Sequence, residues 1–339
     1  MNQYTIVQWL FFIYLYSFAG WVWETNLVSL REKRFVNRGF MRGPFLPIYG
    51  TGGMLMYIFA MPWGKNIPAI FITGMLGATA FEFIVGVLME LLFKVRYWDY
   101  SNRFMNFRGH ICLRSSLCWG VFTVVHSQFV HKFVERFVMM IPAHVLTIVT
   151  YVLTAAIFSD FALCFKAALD LRDLLERMEG IKRKMGGLQN RLEAITSKYD
   201  GSLGRAKDTV SSAKDTVVTG LFIAKNKVIY GLGTAKHVLV GVPAAKFSDL
   251  AGNVENRWQQ FKERRQGGLI EMTEEEEKEL ESLPAEITRT VEEHHRLAMV
   301  RDYLMRSLIR SNPGMKSERY QEYLNEIREN VSKKMPGNH

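Results

Sequence analysis

Cysteine is scarce in this sequence. Cys112, Cys118 and Cys164 are all it has in 339 residues, too few and too scattered for a disulfide framework or a zinc site. No Gly-x-x-x-x-Gly-Lys-Ser/Thr run occurs, so the chain is not itself a P-loop ATPase. His110-Ile111-Cys112 and His294-His295 are too sparse to hold a metal, and no Ser-His-Asp order stands out. These absences predict no metal, no cofactor and no catalytic residue, hence a protein that is not an enzyme. Charge is scarce too, but only in the first half. Residues 1–165 are dense in Phe, Leu, Ile, Trp and Gly, whereas 166–339 are rich in Lys, Arg and Glu. The net charge of +10 would suit a nucleic-acid binder, yet no aromatic-basic module accompanies it. Basic loops beside a bilayer account for the excess and leave no role for nucleic acid. The start Met-Asn-Gln-Tyr-Thr has no positive n-region and no small-residue cleavage site, which predicts a retained first span rather than a signal peptide.

What the first half does have is long apolar runs, at about residues 5–28, 39–62 (with a Gly/Pro-rich entry at 39–50), 67–95, 115–133 and 141–165. They predict an all-α polytopic bundle of five spans over 1–165. Basic residues gather in the first loop (Arg31, Lys33, Arg34, Arg38, Arg42), in the third (Lys94, Arg96, Arg103, Arg108, Arg114) and after the fifth run. The positive-inside rule then puts the N-terminus outside the plasma membrane and the long C-terminal region in the cytoplasm, as an odd span count requires.

The third run carries two acids. Gly74, Ala78, Glu82, Gly86 and Glu90 follow at steps of four, one narrow helical stripe that is small at one end and acidic at the other. A carboxylate within a span costs a few kcal/mol or more and marks a pathway or a buried pair. Glu82 and Glu90 are therefore candidates for a proton, cation or substrate-amine site, with Glu24, Trp98 and Asp99 near the same membrane face. The alternative is structural: Arg42, Arg108 and Arg114 are the expected partners of these acids, or bind lipid phosphate. The third loop is too apolar for a plain linker and predicts an interfacial helix or a re-entrant segment.

In the second half, Leu171, Leu174, Met178, Ile181, Met185, Leu188, Leu192 and Ile195 recur at steps of three and four. This heptad seam, weakened by Gly180, Gly186 and Gly187, predicts a coiled-coil-like helix over 166–200. It would pair with a second copy of the chain, giving a homo-oligomer through Leu171 to Ile195, or with a later helix of its own chain. Ala-Lys recurs at 213–214, 224–225, 235–236 and 245–246. That eleven-residue repeat predicts an amphipathic helix on an anionic surface within 201–255. The remaining 256–339 reads as a soluble helical tail: a capping box at Thr273 and Glu276, a break at Pro284, a helix to about Arg310, a turn at Asn312-Pro313-Gly314 and a last amphipathic helix.

Several ordered motifs carry a family resemblance. They are Gly20-Trp21-Val22-Trp23-Glu24, the run Arg38 to Gly50, Glu82 and Glu90, Trp98-Asp99-Tyr100-Ser101, Asn106 to Leu113, and Trp119-Gly120. Together they resemble the bacterial family of ABC-transporter type IV permeases over about residues 10–160. The resemblance implies a permease-like membrane subunit and a separate ATPase partner, and it brings no assigned substrate or site residue. Two other readings stand beside it. One is a non-transporting membrane scaffold or sensor associating through its cytoplasmic helices. The other is a membrane enzyme acting on lipid head groups, allowed by acids, His110 and arginines at one depth.

Overall fold

The computed structural model describes residues 4–208, 247–266, 272–300 and 302–332. They are helical almost throughout. Three helices are long and apolar enough to cross a membrane: α1 (Ile6–Glu32), α3 (Ile67–Phe93) and the first part of α6 (Ala143–Asp208). The other two expected spans take a different form. The second is α2 (Pro47–Ala60), 14 residues that continue in a single 3-10 turn. Its start is set by Pro47, whose missing N–H costs nothing in a first turn. The fourth is α4 (Leu113–Val125), a π turn at His126–Val130, and α5 (His131–Met139) in unbroken succession.

Local chemistry sets the helix ends. Thr5 and Gln8 form a capping box at the start of α1, and Asn66 caps α3 through the N–H of Ala69. Lys33 and Lys94 close α1 and α3 in the left-handed conformation. The stripe on α3 is as the spacing predicts: Gly74, Ala78, Glu82 and Gly86 are buried. A Cβ at Gly74 would collide with Thr123 of α4, and one at Gly50 of α2 would collide with Ser17 of α1. Small residues thus let these helix pairs approach closely.

The third loop does not form the interfacial helix. It folds into a hairpin of β1 (Asn106–Phe107) and β2 (Ile111–Cys112), paired Asn106 to Cys112 and Phe107 to Ile111. Arg108 and Gly109 both sit at positive φ in its turn; such a turn needs residues that tolerate that region, as glycine does.

The chain divides into two compact units, one of residues up to Glu176 together with those from Ala298 on, the other Arg177–Leu297. Residues 256–339 are therefore not one tail. In the first unit, α9 (Tyr303–Ser311), capped by Asp302, and α10 (Gln321–Ser332) belong with the membrane half. Lys316 exchanges two main-chain hydrogen bonds with Arg96, at 2.6 and 2.9 Å. Ser317 Oγ donates to the Lys94 carbonyl at 2.7 Å, and the buried Asn312 amide donates to the Gly39 carbonyl at 2.9 Å. Arg38 Nη1 donates to Asn312 Oδ1 at 2.6 Å.

In the second unit the seam residues Ile181, Met185, Leu188, Leu192 and Ile195 are buried. They pack against Phe247, Val254 and Phe261 of α7 (Phe247–Gln266) and Leu280, Leu283 and Ile287 of α8 (Glu274–Ala298). Of the two pairings open to the seam, the described residues show the one with later helices of the same chain. At one position the register differs: Leu175 is fully buried and Leu174 half-buried. The three glycines do not interrupt α6. The Thr273–Glu276 capping box opens α8. Pro284, expected to break this helix, lies inside it. A proline there forfeits one backbone bond, but Leu280, Leu283 and Ile287 anchor the same face on both sides of it. The eleven-residue repeat falls almost wholly outside the described residues.

Candidate functional site

The stripe on α3 meets α4 and the hairpin, and Glu82 stands at that junction, 5% exposed. One carboxylate oxygen accepts from the Tyr100 hydroxyl at 3.1 Å. The other accepts from the Trp119 indole N–H at 2.9 Å and the Ser115 hydroxyl at 3.3 Å. All three donors are neutral. Among the described residues no arginine pairs with Glu82.

Glu90, about two turns further along the same face, is half-buried and ion-paired. Arg96 lies 2.8 Å from one oxygen and His110 Nε2 lies 3.0 Å from the other. Burial holds the His110 pKa below its usual value, opposed by the Glu90 charge, so near neutral pH the imidazole donates as an uncharged N–H. Glu24 accepts from the Tyr49 hydroxyl at 2.8 Å and faces Arg38 at 3.7 Å. The arginines that hold the acids are thus Arg38 and Arg96, each close in sequence to a helix end. Arg42, Arg108 and Arg114 were the expected ones. Arg42 lies instead with its guanidinium over the Tyr303 ring at 5.1 Å; its backbone N–H and that of Gly43 donate to Asp160 at 3.0 and 2.8 Å. Arg108 occupies the strained hairpin turn, and Arg114 is exposed at the start of α4.

Trp98 donates its indole N–H to the His110 carbonyl at 2.9 Å and so fixes the hairpin. Asp99 accepts from Lys316 at 2.6 Å and from the N–H and hydroxyl of Ser101. Burial alone would raise its pKa, but Lys316 and Ser101 together bring it down to about 2. A cleft of about 510 Å³ opens here, lined among others by Glu90, Arg96, Arg108, His110 and Glu318. Glu318, from the segment before α10, reaches Arg96 at 2.6 Å. Sequence reasoning assigned no role to Tyr100, Ser115, Trp119, Tyr49 or Asp160. Tyr49, Tyr100 and Trp119 stand in the ordered motifs, which by themselves give no chemical reason for them. Asp160 was visible as an acid within the fifth apolar run. Among the described residues no three His, Cys, Asp or Glu side chains gather as a metal set.

The membrane half matches a described family. Residues 9–165 match the family model described as "Putative ABC-transporter type IV", which contains every one of the candidate acids and arginines above. The C-terminal helices lie beyond the match. No curated protein and no solved structure matches the chain. The family and the apolar helices together describe a membrane protein related to transporters.

Proposed function

We propose that the chain is the permease-like, non-catalytic subunit of a transporter, with an acidic intramembrane site open to the cytoplasmic side. The observation that carries this reading is Glu82: a buried carboxylate inside an apolar span, held by three neutral donors and, among the described residues, paired with no cation. Three hydrogen bonds make the charge tolerable, but a buried charge is balanced fully only by an opposite one. A proton, a metal cation or a substrate amine would supply it. Glu90 and Glu24, already paired, would line the approach. In this reading the apolar runs form five spans, α2 and the α4–α5 succession being the short and the interrupted ones. Basic loops one and three face the cytoplasm, and a separate ATPase binds there. The scaffold reading has less support, because the seam it needs from Ile181 to Ile195 is covered by α7 and α8.

The test is complementation of a deletion strain with membrane-inserted variants. Glu82→Gln keeps the size of the side chain and one accepting oxygen for the Trp119 N–H, and it removes the charge, so it should accumulate normally and fail to restore the deletion phenotype. Full rescue by Glu82→Gln and Glu90→Gln together would overturn the transport role of the stripe.

A further inference from the structure

A second polar cluster lies away from Glu82, where the start of α1 meets the π turn and α5. His131 is 1% exposed and held at both ring nitrogens. Tyr16 Oη lies 2.7 Å from Nδ1, and Tyr4 Oη lies 3.1 Å from Nε2. Tyr4 in turn donates to Glu135 Oε1 at 2.6 Å. Phe12 packs at 5.0 Å from the imidazole and Tyr57 of α2 lies over it at 3.8 Å, with its hydroxyl 3.4 Å from that of Tyr4. His126 is buried beside Tyr16, its ring edge-on at 4.7 Å, and its Nε2 has no hydrogen-bond partner among the described residues. The titratable groups facing His131 are thus Tyr4 just before α1, Tyr16 from α1, Tyr57 from α2, His126 from the π turn and Glu135 from its own helix.

The direction of this chain is fixed by its acid. A carboxylate only accepts, so the Tyr4 proton points to Glu135 and the Tyr4 oxygen accepts from His131. Nε2 therefore carries the ring hydrogen, and Nδ1 accepts from Tyr16. We propose that Tyr16, His131, Tyr4 and Glu135 form a proton relay, its ligand the proton itself. When a proton arrives at the Tyr16 oxygen, Tyr16 passes its own to Nδ1, Nε2 passes its hydrogen to Tyr4, and Tyr4 passes its own to Glu135. One proton enters at the Tyr16 oxygen and one ends on the half-exposed Glu135 carboxylate. The π turn is what aims both His126 and His131 inward, and such turns recur at functional sites.

The test is nitrogen NMR of full-length protein, labelled at histidine, in lipid nanodiscs. The relay requires the neutral His131 tautomer with hydrogen on Nε2 and an acceptor Nδ1 near neutral pH. Tyr4→Phe keeps the ring and cuts the link to Glu135. It should redistribute the tautomer and slow exchange of the His131 ring hydrogen with bulk water, while Tyr57→Phe should leave both unchanged. Should Tyr4→Phe fail to fold, Glu135→Gln should give the same slowing. A ring hydrogen on Nδ1 in the unmodified protein, or exchange unaltered by Tyr4→Phe or Glu135→Gln, would overturn the relay.

Discussion

Glu82 owes its place to three neutral donors, and each can be removed alone. Trp119→Phe keeps an aromatic ring but leaves one oxygen with only the Ser115 hydroxyl. A hydrogen bond to a charged group is worth about 1.5–3 kcal/mol, so the thermal midpoint in detergent should fall. Adding Glu82→Gln to Trp119→Phe should recover part of that loss, because a neutral amide asks less of its surroundings. If Trp119→Phe costs the same with Gln at position 82, the indole serves packing alone. Gly74 tests the other end of the stripe. A side chain there must displace Thr123, and overpacking of this kind costs about 1–3 kcal/mol. Gly74→Val should therefore destabilise the protein without touching any acid, a difference that melting curves in the same detergent would show. The stripe itself was legible, since a step of four in small and acidic residues has only one helical meaning. Its partners were not, because Tyr100 reaches Glu82 from the loop before the hairpin and Ser115 and Trp119 from a separate helix, and no periodicity links those segments.

At the scale of elements, the segment from Asn312 to Glu318 fastens α9 and α10 to the first and third loops. It bonds main-chain groups at Gly39, Lys94 and Arg96 and side chains of Arg38, Arg96 and Asp99, contacts between segments more than 200 residues apart that no local pattern announces; a polar turn at Asn312-Pro313-Gly314 reads only as a turn. The hairpin and Pro284 escaped for related reasons. Positive φ at Arg108 is set by the hairpin's own closure, and the helix through Pro284 survives on packing that propensity does not see. Asn312→Ala strips the amide that reaches Gly39 and Leu308 and leaves those carbonyls short of a donor, at a cost of about 1–3 kcal/mol each if they stay dry. Amide exchange should rise in residues 302–332 and around Gly39, and stay unchanged in α3. Acid should act on the same fastening. With a folded pKa of about 2 against an ordinary 3.8, Asp99 supports the Lys316 contact above pH 3.8 and loses that support as pH falls toward 2. His110 acts in the same sense, since a depressed imidazole pKa makes protonation unfavourable in the folded state. Lys316→Met should flatten the Asp99 part of this acid sensitivity; a pH profile identical to that of the unmodified protein would locate the sensitivity elsewhere.

At the scale of the whole molecule, the sequence is split by charge at about residue 165, and the structure is split at Glu176 and again at Ala298. Composition sees the first division because bilayer-facing surface must be apolar. It misses the second because both sides of Ala298 are amphipathic and rich in charged residues. The core of the second unit draws on residues 181–287 alone, with Arg191 paired to Glu279 and Glu286 at its rim. Damage to that core should stay within it. Leu283 is fully buried, and truncating such a leucine to alanine costs about 2–5 kcal/mol. Leu283→Ala should raise amide exchange across the described residues of 177–297. The protection of α1, α3 and α4 should not change, because none of their residues belongs to the core that holds Leu283. Lost protection in α3 would show that the two units unfold together. In that event the bundle of α7, α8 and the second part of α6 supports the Glu82 site energetically as well as through the chain, and transport assays on variants of either unit would have to be read with the other in view.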